Sequence, residues 1–108
     1  MTMLDEHNCS ITYTITVMSG KWKWVILWLL SRDNVKRYGE IKKNLDHITH
    51  KMLSQQLKDL ESNLLINRNE YHQIPPKVEY SLTEKGKTLI PILELMAQWG
   101  DKNHSDKN

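Results

Sequence analysis

Leu53, Leu57, Leu60 and Leu64 recur at spacings of four, three and four, a pattern that returns to one side of a helix. At about 100° per residue the four leucines fall within an arc of roughly 60°. The opposite arc carries Lys51, Ser54, Gln55, Lys58 and Ser62. Thr49 stands where a side-chain oxygen can accept a backbone N–H one turn in, so the pattern predicts a capped helix over about 49–62. Before it, Tyr38, Ile41 and Leu45 share one face of a shorter predicted helix, Tyr38 to Leu45, with Lys42 and Lys43 outside. Asp46-His47-Ile48 is a short link, so the two segments read as helix-turn-helix. After Leu65 the period drops to two, and Ile66–Tyr71 and Val78–Leu82 read as short strands. Between them His72-Gln73-Ile74-Pro75-Pro76-Lys77 makes a stiff hairpin tip, because prolines fix the backbone and cannot donate to a ladder. A helix-turn-helix followed at once by a hairpin is the winged-helix arrangement. The expected class is mainly α with a small β hairpin (α+β), a single domain over 9–100 with the wing at about 66–82.

The ends of the chain are harder to read. Residues 1–8 are polar and are expected to be a flexible arm. Ile11 to Val17 alternates as a strand would, yet Ile11, Ile15 and Met18 also fit a helix, and periodicity leaves both open. Ser19-Gly20 ends that segment. Lys21 to Ser31 is apolar on nearly every side, including Trp22, Trp24 and Trp28, and is expected to be buried all round or shared with a partner chain. The tryptophans are read as packing residues rather than a ligand cage. Arg32-Asp33-Asn34 reads as a turn. Thr83 can cap a last helix from Glu84 to about Gly100, which Pro91 should kink or divide. This segment carries two apolar stripes, Leu89-Leu93-Met96-Gly100 and Ile92-Leu95-Trp99. Two stripes exceed what a small monomer needs, and the surplus points to a homodimer. Residues 101–108 are expected to be a flexible tail.

Charge adds one thing to this picture. The chain of 108 residues has a net charge of only +2. Residues 36–58, however, hold six cations against Glu40 and Asp46, a net of +4 that leaves −2 for the remainder. The positive charge is gathered around the Leu-striped helix, as a polyanion partner requires. Gln can pair with adenine in the major groove, and Lys can reach guanine or phosphate. The 49–62 helix is therefore read as a DNA recognition helix. Arg37, Lys42, Lys43 and Lys77 are assigned to phosphates, and His50, Lys51, Ser54 and Gln55 to base edges, with Lys58 as a further DNA contact.

Other chemistry is thinly represented. His47 and His50 are three apart, but no further ligands stand at metal-site spacing. There is no nucleophile–base–acid constellation and no Gly-rich phosphate loop, so neither an enzyme nor a cofactor is expected. Cys9 is the single cysteine, which excludes an intrachain disulfide and suits a reducing cytoplasm. Trp24 to Leu30, the longest apolar run, is too short to span a bilayer. Two other readings stay open beside the DNA-binding one. The basic face could serve a protein partner, or the chain could be a thiol sensor whose DNA binding is incidental.

Several blocks together carry a resemblance. They are Cys9, Met18-Ser19-Gly20-Lys21-Trp22, then Lys51-Met52-Leu53-Ser54-Gln55-Gln56-Leu57-Lys58-Asp59-Leu60-Glu61, and Pro75-Pro76-Lys77-Val78-Glu79-Tyr80-Ser81-Leu82-Thr83-Glu84-Lys85-Gly86. In this order, from Cys9 to about Trp99, the chain resembles the HxlR family of bacterial winged-helix regulators. The resemblance implies a dimeric, cytoplasmic transcriptional regulator that binds double-stranded, pseudo-palindromic DNA, with no membrane association. It implies a helix over 11–18 and pairing through the terminal helices, with Ile11, Ile15, Trp22, Ile92, Leu95 and Trp99 at the dimer interface. It also makes Cys9 the counterpart of a cysteine that in some members senses quinones, aldehydes or oxidants. Some of those members use a second cysteine, which this chain lacks. Alkylation, a mixed disulfide or a symmetric bridge between two Cys9 residues are left open, and the effector is unknown. Where many members carry Arg this chain has Gln56, a lost charge that bears on phosphate contacts or sequence preference.

Overall fold

The recognition-helix pattern becomes a helix because three buried leucines fix its rotation. In the computed structural model, which describes residues 9–104, α1 spans Ser10–Val17, α2 Lys21–Asp33, β1 Val35–Arg37, α3 Tyr38–Asn44 and α4 His50–Ser62. β2 (Ile66–Tyr71), β3 (Lys77–Leu82), α5 (Glu84–Lys87) and α6 (Ile90–Asn103) complete it. Ile26, Leu27 and Leu30 of α2 and Leu53, Leu57 and Leu60 of α4 are all buried, so these two helices form the centre of the core. Burying each such leucine contributes about 1.5–3 kcal/mol. The strands form one antiparallel sheet in the order β1-β3-β2.

Some expectations hold and others are corrected. Where periodicity left strand and helix open and the resemblance implied a helix over 11–18, the chain forms α1; Thr14 and Thr16 turn their hydroxyls back onto the carbonyls of Ser10 and Thr12, so their branching does not oppose the helix. Ile11 and Ile15 then share an outward face. The expected turn at Arg32-Asp33-Asn34 is mostly helix, and only Asn34, at φ +61°, leaves it. β1 has no counterpart among the expected elements, because three residues are too few to show a period.

The leucine stripe runs one leucine past the helix. α4 stops at Ser62, and Leu64 lies outside it with φ +63° and 65% exposure. That left-handed residue brings the Leu65 N–H back to the Leu60 carbonyl at 3.0 Å, a common helix ending, and Leu65 takes the buried place. At the C-terminus the chain divides into α5 and α6. Thr83 caps α5 by accepting the Gly86 N–H, and Pro91 falls in the first turn of α6, where its missing donor costs nothing. α6 runs on to Asn103, because its terminal carbonyls find partners: Asn103 donates to the Trp99 carbonyl and the His104 N–H to Gly100. The expected tail is therefore helical over 101–103. Its last residues, 105–108, and the expected arm over 1–8 lie outside the described residues.

Candidate nucleic-acid interface

α4 begins at a well-made cap, with the Met52 N–H donating to Thr49 Oγ1 at 3.0 Å. Its inner leucines turn Lys51, Ser54, Gln55 and Lys58 outward, and all four are exposed. The C-terminal half is tied to α2 by Lys23, whose ammonium is buried and stands 3.4 Å from Asp59. Lys23 is a residue the apolar look of α2 conceals. Gln56 does not face outward with Gln55. Its Oε1 is buried without a hydrogen-bond partner and packs towards Gly20, the turn between α1 and α2 where φ is +99°. A substitution at this position therefore acts first on the packing of that turn.

α3 enters directly from β1. The Arg37 N–H donates to Glu40 Oε1 at 2.8 Å, which starts the helix and leaves the Arg37 side chain exposed. Lys43 is exposed and Lys42 half-buried. Lys36 is neutralised by Asp33 at 2.9 Å and also donates to Asn44. Arg37, Lys43, Lys51 and Lys58 make no ion pair among the described residues. Tyr38, expected simply as part of an apolar face, reaches across to α4. Its hydroxyl is 3.1 Å from His50 Nδ1 and 3.4 Å from Ser54 Oγ, and its ring stacks on the His50 ring. Two of the expected base readers are thus held by a residue of the preceding helix.

The hairpin is arranged differently from the expectation. Lys77 is not at its tip but opens β3, paired with Tyr71. Its ammonium lies 3.7 Å from Glu79 and 4.4 Å over the Tyr71 ring, so much of its charge is spent locally. The tip is residues 72–76, with Ile74 fully exposed. The wing cation nearer to α4 is Arg68, opposite Tyr80 in the β2–β3 register and 3.0 Å from Glu70. Arg68, Tyr80, Ser54, Leu57, Lys58 and Glu61 line a groove of about 330 Å³ between α4 and the sheet. The alternation of β2 carries the signal for Arg68: it shares a strand face with Glu70, two residues on.

Away from this surface, Ile11, Ile15, Ile92, Leu95 and Trp99 are all exposed, Leu95 by 65% and Trp99 by 70%. Trp22 does not join them. It is half-buried against the core with the Lys21 ammonium 4.6 Å over its ring. Cys9 is the residue before α1. Thr12 lowers the pKa of its thiol, first through its hydroxyl and then through its N–H, against a smaller opposing effect of desolvation. Among the described residues no three His, Cys, Asp or Glu side chains come together as metal ligands, and no helix is long and apolar enough to cross a membrane.

The sequence profile described as HxlR-like helix-turn-helix matches residues 17–108. The chain belongs to this family. Regulatory protein MalR of Fusobacterium mortiferum is 58% identical over 99 residues, 92% of this chain and 93% of its own. The HTH-type transcriptional regulator BH0655 of Halalkalibacterium halodurans is 52% identical, over 87% of this chain and 83% of that protein. Among solved structures, the redox regulator HypR in its oxidised form superimposes with a TM-score of 0.83 at 44% identity, covering 88% of this chain and 97% of HypR. The HxlR-like family is one of transcriptional regulators and not of enzymes, and this chain has its winged-helix fold, mainly α with a β wing.

Proposed function

We propose that the protein binds specific operator DNA as a homodimer, with α4 as the reading element. The observation that carries this is the outer face of α4: Lys51, Ser54, Gln55 and Lys58 side by side, exposed, with no carboxylate among them. Cations repel a neighbouring copy but suit phosphate, while the amide and hydroxyl suit base edges. Lys42 and Lys43 on α3, with Arg37 at the end of β1 just before it, fix register on phosphates. Arg68 and the 72–76 tip approach the backbone and minor groove beside the recognition helix.

Pairing through the exposed faces of α1 and α6 removes apolar surface from water and sets two copies of α4 about one turn of DNA apart, roughly 34 Å, so the operator is a pseudo-palindrome. Cys9 lies two residues before Ile11, at the N-terminal end of the element whose face pairs. A modified thiol there shifts the tilt of the two recognition helices, which is how a thiol-reactive signal would reach the DNA. The lowered pKa of Cys9 supports that route. The HypR neighbour, titled a redox regulator, is consistent with it. The reading places the protein in the cytoplasm, with its DNA.

A mobility-shift assay against genomic fragments tests the proposal. The expected result is retention of few fragments, weakening steeply as salt rises because phosphate contacts release counterions. Absence of any retention at low salt would overturn it and give the basic face to a protein partner.

A further inference from the structure

The Tyr38 hydroxyl stands where one proton is claimed by three acceptors. It is 3.1 Å from His50 Nδ1, 3.3 Å from the His50 carbonyl oxygen and 3.4 Å from Ser54 Oγ. The two rings are 5.9 Å apart and within 10° of parallel. Tyr38 itself is half-buried and packed against the core, so the hydroxyl is delivered from a fixed base. His50 and Ser54, one turn apart on α4, are exposed. We infer that Tyr38 is a positioning residue for sequence readout, and that it sets which of the two side chains donates to a base and which accepts.

The polarity follows from the distances. An imidazole nitrogen is a better acceptor than a helix carbonyl already engaged in its own ladder, and Nδ1 is also the nearest of the three. In the inferred arrangement the hydroxyl proton goes to Nδ1 and the ring hydrogen sits on Nε2, an assignment of tautomer that the nitrogen NMR below reads directly. The outward end of His50 is then a donor. Guanine shows two acceptors, N7 and O6, and no donor in the major groove, where thymine offers one acceptor beside a methyl group, so guanine is the best match. With its proton committed, the Tyr38 oxygen can only accept, and the Ser54 hydroxyl turns inward to supply it. Ser54 then presents lone pairs outward, which suit the amino group of cytosine or adenine. Stacking against Tyr38 limits ring rotation, so less order is lost when DNA binds.

This inference rests on the DNA-binding reading above, and its test separates the two. The first measurement uses the free protein: imidazole nitrogen NMR of His50 in wild type and Tyr38→Phe. Phe keeps the ring stack and removes only the hydroxyl, so Nδ1 should shift towards the frequency of an unbonded nitrogen. An unchanged spectrum overturns the hydroxyl–imidazole tie. The second is selection of bound duplexes from a random pool by wild type, Tyr38→Phe, His50→Ala and the double variant, with thermal unfolding of each. Tyr38→Phe should relax preference about fivefold at the positions read by His50 and Ser54, as the loss of one hydrogen bond implies. Affinity for scrambled DNA should hold, and the effect at the position read by His50 should vanish in the His50→Ala background. Full preference in Tyr38→Phe overturns the inference. So does an equal loss on all sequences together with a lowered Tm, which would make Tyr38 merely structural. If wild type selects nothing, the DNA reading fails and takes the readout role with it, while the NMR result still stands for the tie.

Discussion

Lys23 and Asp59 should respond very unequally to loss of charge. The pair is lopsided: the Lys23 side chain is 8% exposed and that of Asp59 46%. At 3.4 Å their gross attraction is about 5 kcal/mol at an effective dielectric of roughly 20. Most of this is offset by the cost of burying the ammonium. Asp59→Asn keeps size and helix propensity but strands a buried cation. Breaking a fully buried pair this way costs about 3–5 kcal/mol, and the half-wet carboxylate reduces that to about 1.5–3. Lys23→Met removes the buried charge, keeps the packed stem, and leaves a carboxylate that water can solvate. It should change stability by less than about 1 kcal/mol, and Lys23→Met with Asp59→Asn should behave like Lys23→Met alone. Urea unfolding followed by circular dichroism measures all three, read as midpoint shifts at constant slope. The bonds that the Asn63 N–H and side-chain amide donate to the Asp59 carbonyl are untouched by either change. Equal losses in Lys23→Met and Asp59→Asn would refute the reasoning, and would make the pair a net attractive clamp between α2 and α4.

Three further outcomes are expected. Wild type should sediment as a dimer at micromolar concentration and Leu95→Glu as a folded monomer, since the change charges the centre of the exposed α6 face; a wild-type monomer at tens of micromolar would remove the pairing scheme. Thiolate absorbance against pH should show Cys9 titrating below the ordinary thiol range, as its Thr12 contacts require, and alkylation should slow as pH falls through that midpoint; a midpoint at or above that of free cysteine contradicts this. Gly86→Ala should destabilise by about 1–3 kcal/mol, because its new Cβ would clash with the Leu65 carbonyl oxygen, a backbone atom that cannot move cheaply; an unchanged Tm would show that α5 shifts freely.

The elements with long, unbroken periods were legible in the chain: α4 from its leucines, β2 and β3 from alternation bounded by prolines. α1 was not legible from periodicity and was expected only through the family resemblance, because its threonines are β-branched, and whether their hydroxyls fold back onto helix carbonyls is invisible in a pattern of apolar positions. β1 escaped because its pairing with β3 is a tertiary event with no local signature. At the site, Lys51, Ser54, Gln55 and Lys58 were readable because they oppose buried leucines. Lys77 was misjudged because the hairpin tip ends one residue earlier than expected, and Lys23 was hidden by the apolar residues on both sides of it. Tyr38 carried two meanings at once, since its ring satisfies the apolar stripe of α3 while its hydroxyl serves α4.

The central claim is that the outer face of α4 lies in the major groove, and Gln55→Ala tests it most directly. The measurement is affinity of wild type and variant for a selected operator and for a scrambled duplex, by fluorescence anisotropy at one salt concentration. Losing a base-reading amide should cost about 1–3 kcal/mol per half-site on the operator and leave the scrambled duplex unchanged. Equal weakening on both duplexes, or no change on either, would contradict the account.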